Sequence, residues 1–596
     1  MTRSAFLALA LLSAMVPGAA RAAGVVTLCA EDVQTGPPGA LNLQTALAGG
    51  GRVTFNCPGF PDIHVTRQHI LTATTQIDGG GSVTLDGFGA TGLFAAAPGV
   101  AVAFSNITLR NGVASSTIPM HESDPGVLKS AGVVLLDNVT IDGARLAIEA
   151  DTLKITKSHF VDNTGDVLRA TTIIIDNSTF TGNTGNPVTN RTEPPSRNVA
   201  LPKPIPGTLS ITGGRFENNR NSVTWTGSIN VHGAVFVGNG RMTAAQSGGA
   251  LSIWGNAVIE KALFQRNSAG FGGAIAIGKG SLRLRRDVFE DNRASDDGGA
   301  IVASEAEGTP VPVTITYSRF EGNVAANGGA IAFREGGAHP GTLSAGPVTF
   351  IRNTASASGG ALFAEGPVLL SRAIFTGNQA KTGGGFAVDQ GTFANAIVAR
   401  NQASAAAGGL GAQLTLINST IADNVGPGLG LKPVAGAALT LKNTIVLNNS
   451  AGNCAAPAAA IVDKGNNLQF PTADCGAGVA VIDAKIDTWY VPYATSPALN
   501  AGDNAVCAAA PISARDIYGA HRPYLEHCAI GAVEGTLEQP ALYALRQTAQ
   551  PPAPLCPLVR ELNGEPTQGA PSGPPVSDTG SSSGGTAGGS SESCRP

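Results

Sequence analysis

The chain is short of charge and of aromatic side chains: 13% of its 596 residues are charged and 5% are aromatic. The formal net charge is −4, so no charge excess points to nucleic acid or a membrane surface as a partner. No cysteine occurs between Cys57 and Cys454. Closely spaced Cys/His clusters are absent, which argues against a zinc framework. Beyond the first residues there is no run of about 18 uninterrupted apolar positions, so no membrane-spanning helix is expected. The chain's interior also lacks the three-four apolar spacing of an amphipathic helix. What it has in quantity is glycine, 78 residues, in a chain too apolar to be disordered. That combination calls for many tight turns.

The start, MTRSAFLALALLSAMVPGAARAAG, carries Arg3, an apolar run from Ala5 to Val16 and a small-residue cleavage site at Ala20-Arg21-Ala22. Residues 1–22 therefore read as a secretory signal peptide, with the mature chain exported to the periplasm, the cell surface or the exterior. In that setting the eight cysteines are structural. Nearest-neighbour pairing is the expectation, because each pair closes a local loop near one end: Cys29 with Cys57, Cys454 with Cys475, Cys507 with Cys528, and Cys556 with Cys594.

A repeat fills the middle. FQRNSAGFGGAI (264–275), FEDNRASDDGGAI (289–301), FEGNVAANGGAI (320–331), FIRNTASASGGAL (350–362) and FTGNQAKTGGGF (375–386) share Phe-x-x-Asn, a few small residues, then two glycines. Looser copies begin at 160, 180, 216, 236, 397 and 421, and most neighbours lie 20 to 31 residues apart. A period of this size means a solenoid. Between motifs the chain alternates: in SLRLRRDVF (281–289), Leu282, Leu284 and Val288 are expected on one face and Arg283, Arg285 and Asp287 on the other. Each period is then a coil of short strands that buries its apolar face only by stacking. The expected fold is all-β, a single-stranded right-handed parallel β-helix of roughly 15 to 17 coils and about 75 Å. The expected units are an N-terminal cap over 23–60, the β-helix over 61–470, a disulfide-bearing C-terminal region over 471–535 and a Pro/Ser/Gly-rich flexible tail over 536–596.

Asn267, Asn292, Asn323, Asn353 and Asn378 share one repeat position and are expected to form a hydrogen-bonded ladder at a left-handed turn. The Phe residues should stack inward, and the double glycine should supply positive φ and close packing. The acidic turn at Asp296-Asp297 aligns with Gly270-Phe271 before it and Ala326-Asn327 after it. Carboxylates do not gather across coils there, so it reads as a solvated turn with no metal and no cofactor. Counting from each Phe places Arg285 beside Glu260 and Thr316, an exposed ion pair.

In ALNLQTALAGGGRVTFNCPG (40–59), Leu41, Leu43 and Leu47 fall on a short helix placed to cover the open end of the first coil, with a Cys29–Cys57 bridge pinning it. This arrangement resembles the N-terminal caps of pectate-lyase-like β-helices, and CAEDV partly matches the CSLREA motif that opens some secreted β-helix proteins. SPALNAGDNAVC (496–507), ARDIYGAHRP (514–523) and HCAIGAVE (527–534) resemble the choice-of-anchor Q domain of bacterial surface β-helix proteins. The match rests on Gly502, Asp503, Asp516, Gly519, Arg522, Pro523, Cys528, Gly531, Ala532 and Glu534, while Asn500 and Ala529 stand where that family has acids. The Phe-x-x-Asn and Gly-Gly-Ala repeats are also similar to those of chlamydial polymorphic outer-membrane proteins, which implies an adhesin-like role.

The residues leave three functions open: a secreted or surface binding protein for polysaccharide or a cell-surface partner, a polysaccharide lyase or hydrolase, and a structural surface protein. The enzymatic reading lacks an ordered constellation, since His232-Gly233 precedes the Asp296-Asp297 pair and His339 has no partner that sequence can place. Trp225, Trp254 and Trp489 are scattered and give no sugar-stacking platform by sequence. The binding reading has a location. The turn after the Gly-Gly-Ala strand is short at WGN and GKG but long at 303–312 and 334–347 on consecutive coils. These two loops would carry Glu305, Glu307, Arg334, Glu335 and His339, with the Pro-rich insertion at 184–207 as a further candidate.

Overall fold

The strands form because each coil offers short alternating runs between residues that can turn left-handed. The computed structural model describes residues 24–30, 37–59, 61–113, 126–191, 204–305, 308–334 and 341–536. The signal sequence, Cys556, Cys594 and residues 192–203 of the Pro-rich insertion lie outside them. Among the described residues one 41-stranded sheet and one six-stranded sheet wind around a common core, and every pairing between their strands is parallel. The protein is a right-handed parallel β-helix.

One coil shows the construction. Strand Ile275–Arg285 bends at Gly280, a corner at Arg286 leads to Val288–Glu290, a second at Asp291 leads to Arg293–Ala294, and a third at Gly298 leads to Ile301–Ser304 of the next coil. All three corner residues are left-handed, with φ of 59°, 54° and 66°. The third column is glycine throughout (Gly272, Gly298, Gly328, Gly359 and Gly383), as φ demands. The glycine after each keeps negative φ but has no room for a side chain: a Cβ on Gly299 would lie 2.1 Å from the Gly329 carbonyl oxygen.

The ladder runs further than its five best copies. From Asn163 to Asn449 each Nδ2 donates to the Oδ1 of the next coil's Asn at 2.8–3.1 Å. Asn267, Asn292, Asn323, Asn353 and Asn378 are fully buried members of this line. At Asn323, Oδ1 accepts both the backbone N–H and the Nδ2–H of Asn292, and its own second amide hydrogen goes to the Phe289 carbonyl at 3.0 Å. The left-handed turn, however, is not at the Asn. It falls one residue earlier, on Arg266, Asp291, Gly322, Arg352 and Gly377. Turning there aims the following amide into the interior, where only its neighbours can satisfy it. Beside the ladder, Phe160 to Phe375 stack at centroid spacings of 4.5–5.2 Å.

The alternation expected over 281–289 breaks at the Arg286 corner. Leu282 and Leu284 are in the core and Arg283 and Arg285 are exposed, but Asp287 is fully buried and Val288 lies in a separate apolar cluster with Val235, Val237 and Leu263. Asp287 Oδ1 accepts the Ala262 N–H at 2.8 Å and Oδ2 the Arg285 N–H at 2.7 Å. The same inter-coil bond is made by hydroxyls at Ser158, Ser178, Ser318 and Ser419. Burial pushes the Asp287 carboxyl well above the usual carboxylate range.

At the N-terminal end, the helix Leu43–Leu47 is capped by the Asn42 side chain and buries Leu43, Ala46 and Leu47, with Leu41 partly covered beside them. Cys29–Cys57, Cys454–Cys475 and Cys507–Cys528 are bonded. The C-terminal region does more than follow the last coil: residues from Ala484 to Val533 pack against Ile397, Ala399, Ala422, Ile445 and Leu447 along the side of the rod. Asn395, Asn418 and Asn443, left-handed residues of the first corner column, bond to Arg515, Ala529 and Asp503 of that region. Its interior holds Asp516, Arg522 and Glu534, all buried. Arg522 pairs with Glu534 at 3.3 Å, and Asp516 accepts the N–H groups of Tyr518, Ala520 and Glu534.

Two outcomes follow. Asn323→Ala strands the Asn292 amides and the Phe289 carbonyl and is expected to cost about 2–4 kcal/mol, whereas Asn256→Ala on the exposed face should stay within about 0.5 kcal/mol; denaturant unfolding of both variants checks this. For Asp287, whose folded-state pKa is raised, the unfolded chain loses its proton first, so the group weakens the fold as pH rises. Asp287→Ser should therefore melt higher than the parent at pH 8, with the gain shrinking toward pH 4; a gain independent of pH would contradict the buried-carboxyl account.

Candidate functional site

The stacking that builds the core also builds columns on the surface. Outside the strand that follows the double glycine, Ser252, Ala276, Val302, Ala332 and Phe363 succeed one another from coil to coil. Ser247 lies beside Phe271, and Asp297 beside Asn327, on the turn at one flank of this column. Trp254, Gly278, Ser304 and Arg334 mark its other flank. Between the flanks lies a cleft of about 350 Å³ lined by Trp254, Phe271, Asp297, Ser304 and Arg334 among others.

Arg334 organises the cleft. Its Nε and Nη2 reach Asp297 Oδ2 and Oδ1 at 2.9 and 3.0 Å, a two-pronged pair with the preceding coil. Its Nη1 bonds to Glu365, and its guanidinium lies 4.4 Å from the Phe363 ring centroid. Asn327 Nδ2 donates to Asp297 Oδ1 at 3.0 Å. Burial works against the Arg334 charge, but the Asp297 and Glu365 carboxylates outweigh it and hold its pKa above the ordinary guanidinium value. Further along, Lys432 pairs with Asp389 and approaches the same Phe363 ring at 5.8 Å.

This geometry corrects the reading of the acidic turn. The register places Asp297 between Phe271 and Asn327 as aligned, but its carboxylate is not solvated: the residue is 9% exposed and locked by Arg334. Asp296 alone stays at the rim, contributing its carbonyl to the Ala326 and Asn327 N–H groups. The partner of Asp297 could not be aligned because it sits 37 residues on, on a neighbouring strand. Trp254 is likewise not isolated: it is 43% exposed, its ring lies over Gly278, and Phe271 shares the cleft. Gly278 is what makes room, since a Cβ there would come within 3.3 Å of the indole.

Of the loop residues, Arg334 is in the cleft, and Glu305 is half-buried at its edge with its N–H toward the Arg334 carbonyl. Glu307, Glu335 and His339 lie outside the described residues. The register Ser304↔Arg334 starts the two long loops side by side. His232 and Arg285 sit apart from the cleft lining, on an exposed ladder with Glu260, where Arg285 Nη1 is 3.2 Å from Glu260 Oε1. Among the described residues no group of three or more His, Cys, Asp or Glu is placed to hold a metal ion, and no helix is long and apolar enough to cross a membrane.

Residues 288–304 and 347–365 match the Chlamydia polymorphic membrane protein repeat. No curated protein matches the chain. Among solved structures, tailspike protein 3 of bacteriophage CBA120 is similar at 12% identity and a TM-score of 0.23, over 80% of this chain and 65% of the tailspike chain. A periplasmic alginate epimerase is similar at 9% identity and a TM-score of 0.17, over 67% of this chain and 75% of the epimerase.

The two adjacent acids should separate on substitution. Asp297→Ala leaves Arg334 without its two-pronged partner and is expected to cost about 1–3 kcal/mol. Asp296→Ala should stay within about 0.5 kcal/mol. Equal melting shifts for the pair would return Asp297 to the role of a solvated turn.

Proposed function

We propose that the protein is an exported, surface-associated or secreted β-helix that binds a polysaccharide or another cell surface through the Trp254–Arg334 cleft. The observation that carries this reading is a half-exposed indole beside a polar cleft, held on strands that the stacked core makes rigid. Clefts of this kind bind ligands through a few aromatic faces and a small number of placed polar groups. Ser247, Ser252 and Ser304 supply hydroxyls, and the two long loops start at the cleft's rim. The polymorphic membrane protein repeat supports a surface setting for this chain. Under the same reading the region over 496–534, with its resemblance to choice-of-anchor Q domains, keeps the C-terminal end fixed to the rod. An acid/base reaction would need an available carboxylate in the cleft, and Asp297 and Glu365 are both engaged by Arg334.

Trp254→Ala is expected to weaken binding to a ligand found on a glycan array by roughly tenfold, about 1.4 kcal/mol. Its melting temperature should match the parent's, because the indole is outside the core. Unchanged affinity with unchanged melting would place binding elsewhere on the rod.

A further inference from the structure

The charge arrangement in the cleft goes further than its shape. Resting on the binding reading above, we infer that the cleft takes an electrically neutral, hydroxyl-rich glycan and discriminates against polyuronates and other anionic polysaccharides. Arg334 is the cationic residue among the described lining residues, and each of its three nitrogens already holds a carboxylate: Asp297 takes Nε and Nη2, Glu365 takes Nη1, and the Phe363 ring covers one face. Lys432, further along, is paired with Asp389, and Lys279, in register with Trp254, lies outside the lining. A uronate drawn to the Arg334 charge would have to break the two-pronged Asp297 pair and leave that carboxylate, on a side chain 12% exposed, without its counter-ion. Otherwise it would lie beside the Asp297 and Glu365 carboxylates, which outnumber the single Arg334 guanidinium between them. A neutral sugar faces neither obstacle. Its hydroxyls can donate to the lone pairs that Asp297 has left, and to the oxygens of Ser247, Ser252 and Ser304. Its apolar ring face has Trp254 to lie against.

The experiment is calorimetry on the full exported chain with two sets of oligosaccharides of matched length: neutral glucan, galactan and mannan fragments, and polygalacturonate and alginate fragments. At least one neutral fragment is expected to bind at least about tenfold more tightly than any uronate fragment, with affinity nearly unchanged between low and high salt. Glu365→Gln, outside the cleft lining, removes one of the two carboxylates on Arg334 and should raise uronate affinity several-fold while leaving neutral binding within about twofold. Uronates binding as well as or better than neutral fragments would overturn this inference and leave the cleft reading standing, provided Trp254→Ala still weakens that binding roughly tenfold. If no fragment of either set binds, the cleft reading falls with it.

Discussion

A buried amide with no water within reach must find its partners in the protein, and in a coil of about 25 residues those partners can come only from the coils on either side. The Asn163–Asn449 line meets this constraint completely. From Asn183 to Asn424 each side chain gives one hydrogen to the next amide and one to a backbone carbonyl, and its oxygen takes two in return, as at Asn267 and Asn292. The bonds close only if every coil repeats the same height and register. The ladder therefore sets the rise to which the Phe stack, the strand pairings and the glycine corners conform. It also holds where the spacing in sequence is long: Asn183 and Asn219 are 36 residues apart and still form adjacent rungs.

That uniform rise gives the surface its order. Residues far apart in sequence meet because successive coils stack, as Asp297 on one flank meets Arg334 on the other, and Arg334 meets Glu365 of the coil after. None of the three has a sequence neighbour that would reveal the cluster. Two carboxylates against one guanidinium leave this cluster a formal −1, so it offers geometry and hydrogen bonding in place of a cationic field. The aromatic component follows the same rule, since Trp254 finds its bed on Gly278 of the next coil.

The C-terminal region solves a different problem. An outward column of Ile397, Ala399, Ala422, Ile445 and Leu447 is too apolar to face water, and the returning chain covers it. Burying Asp516, Arg522 and Glu534 inside that cover is costly, and burial moves all three toward their neutral forms: the two acids are raised and the arginine lowered. Their mutual pairing and the backbone N–H groups aimed at the acids offset the cost and leave few alternative ways to fold the segment.

The repeat, the fold, the inward Phe and Asn and the three described disulfides were legible in the sequence, because each is a local pattern copied at a fixed spacing or the pairing of neighbours. The register was legible too, so Arg285 beside Glu260 and Asp297 beside Asn327 could be counted out. What could not be read was where the chain turns left-handed at residues that do not advertise it. Arg286 flips the alternation and buries Asp287, and Arg266 or Asp291, not the ladder Asn, makes the second corner. Nor could the sequence tell a solvated acid from a locked one at Asp296 and Asp297, since the partner arrives from a later coil. The sequence by itself determined which residues stack, for stacking repeats the same short-range chemistry in every coil. Only the tertiary structure decided which surface groups meet, because a column joins residues about 30 positions apart through side-chain reach that no local pattern encodes.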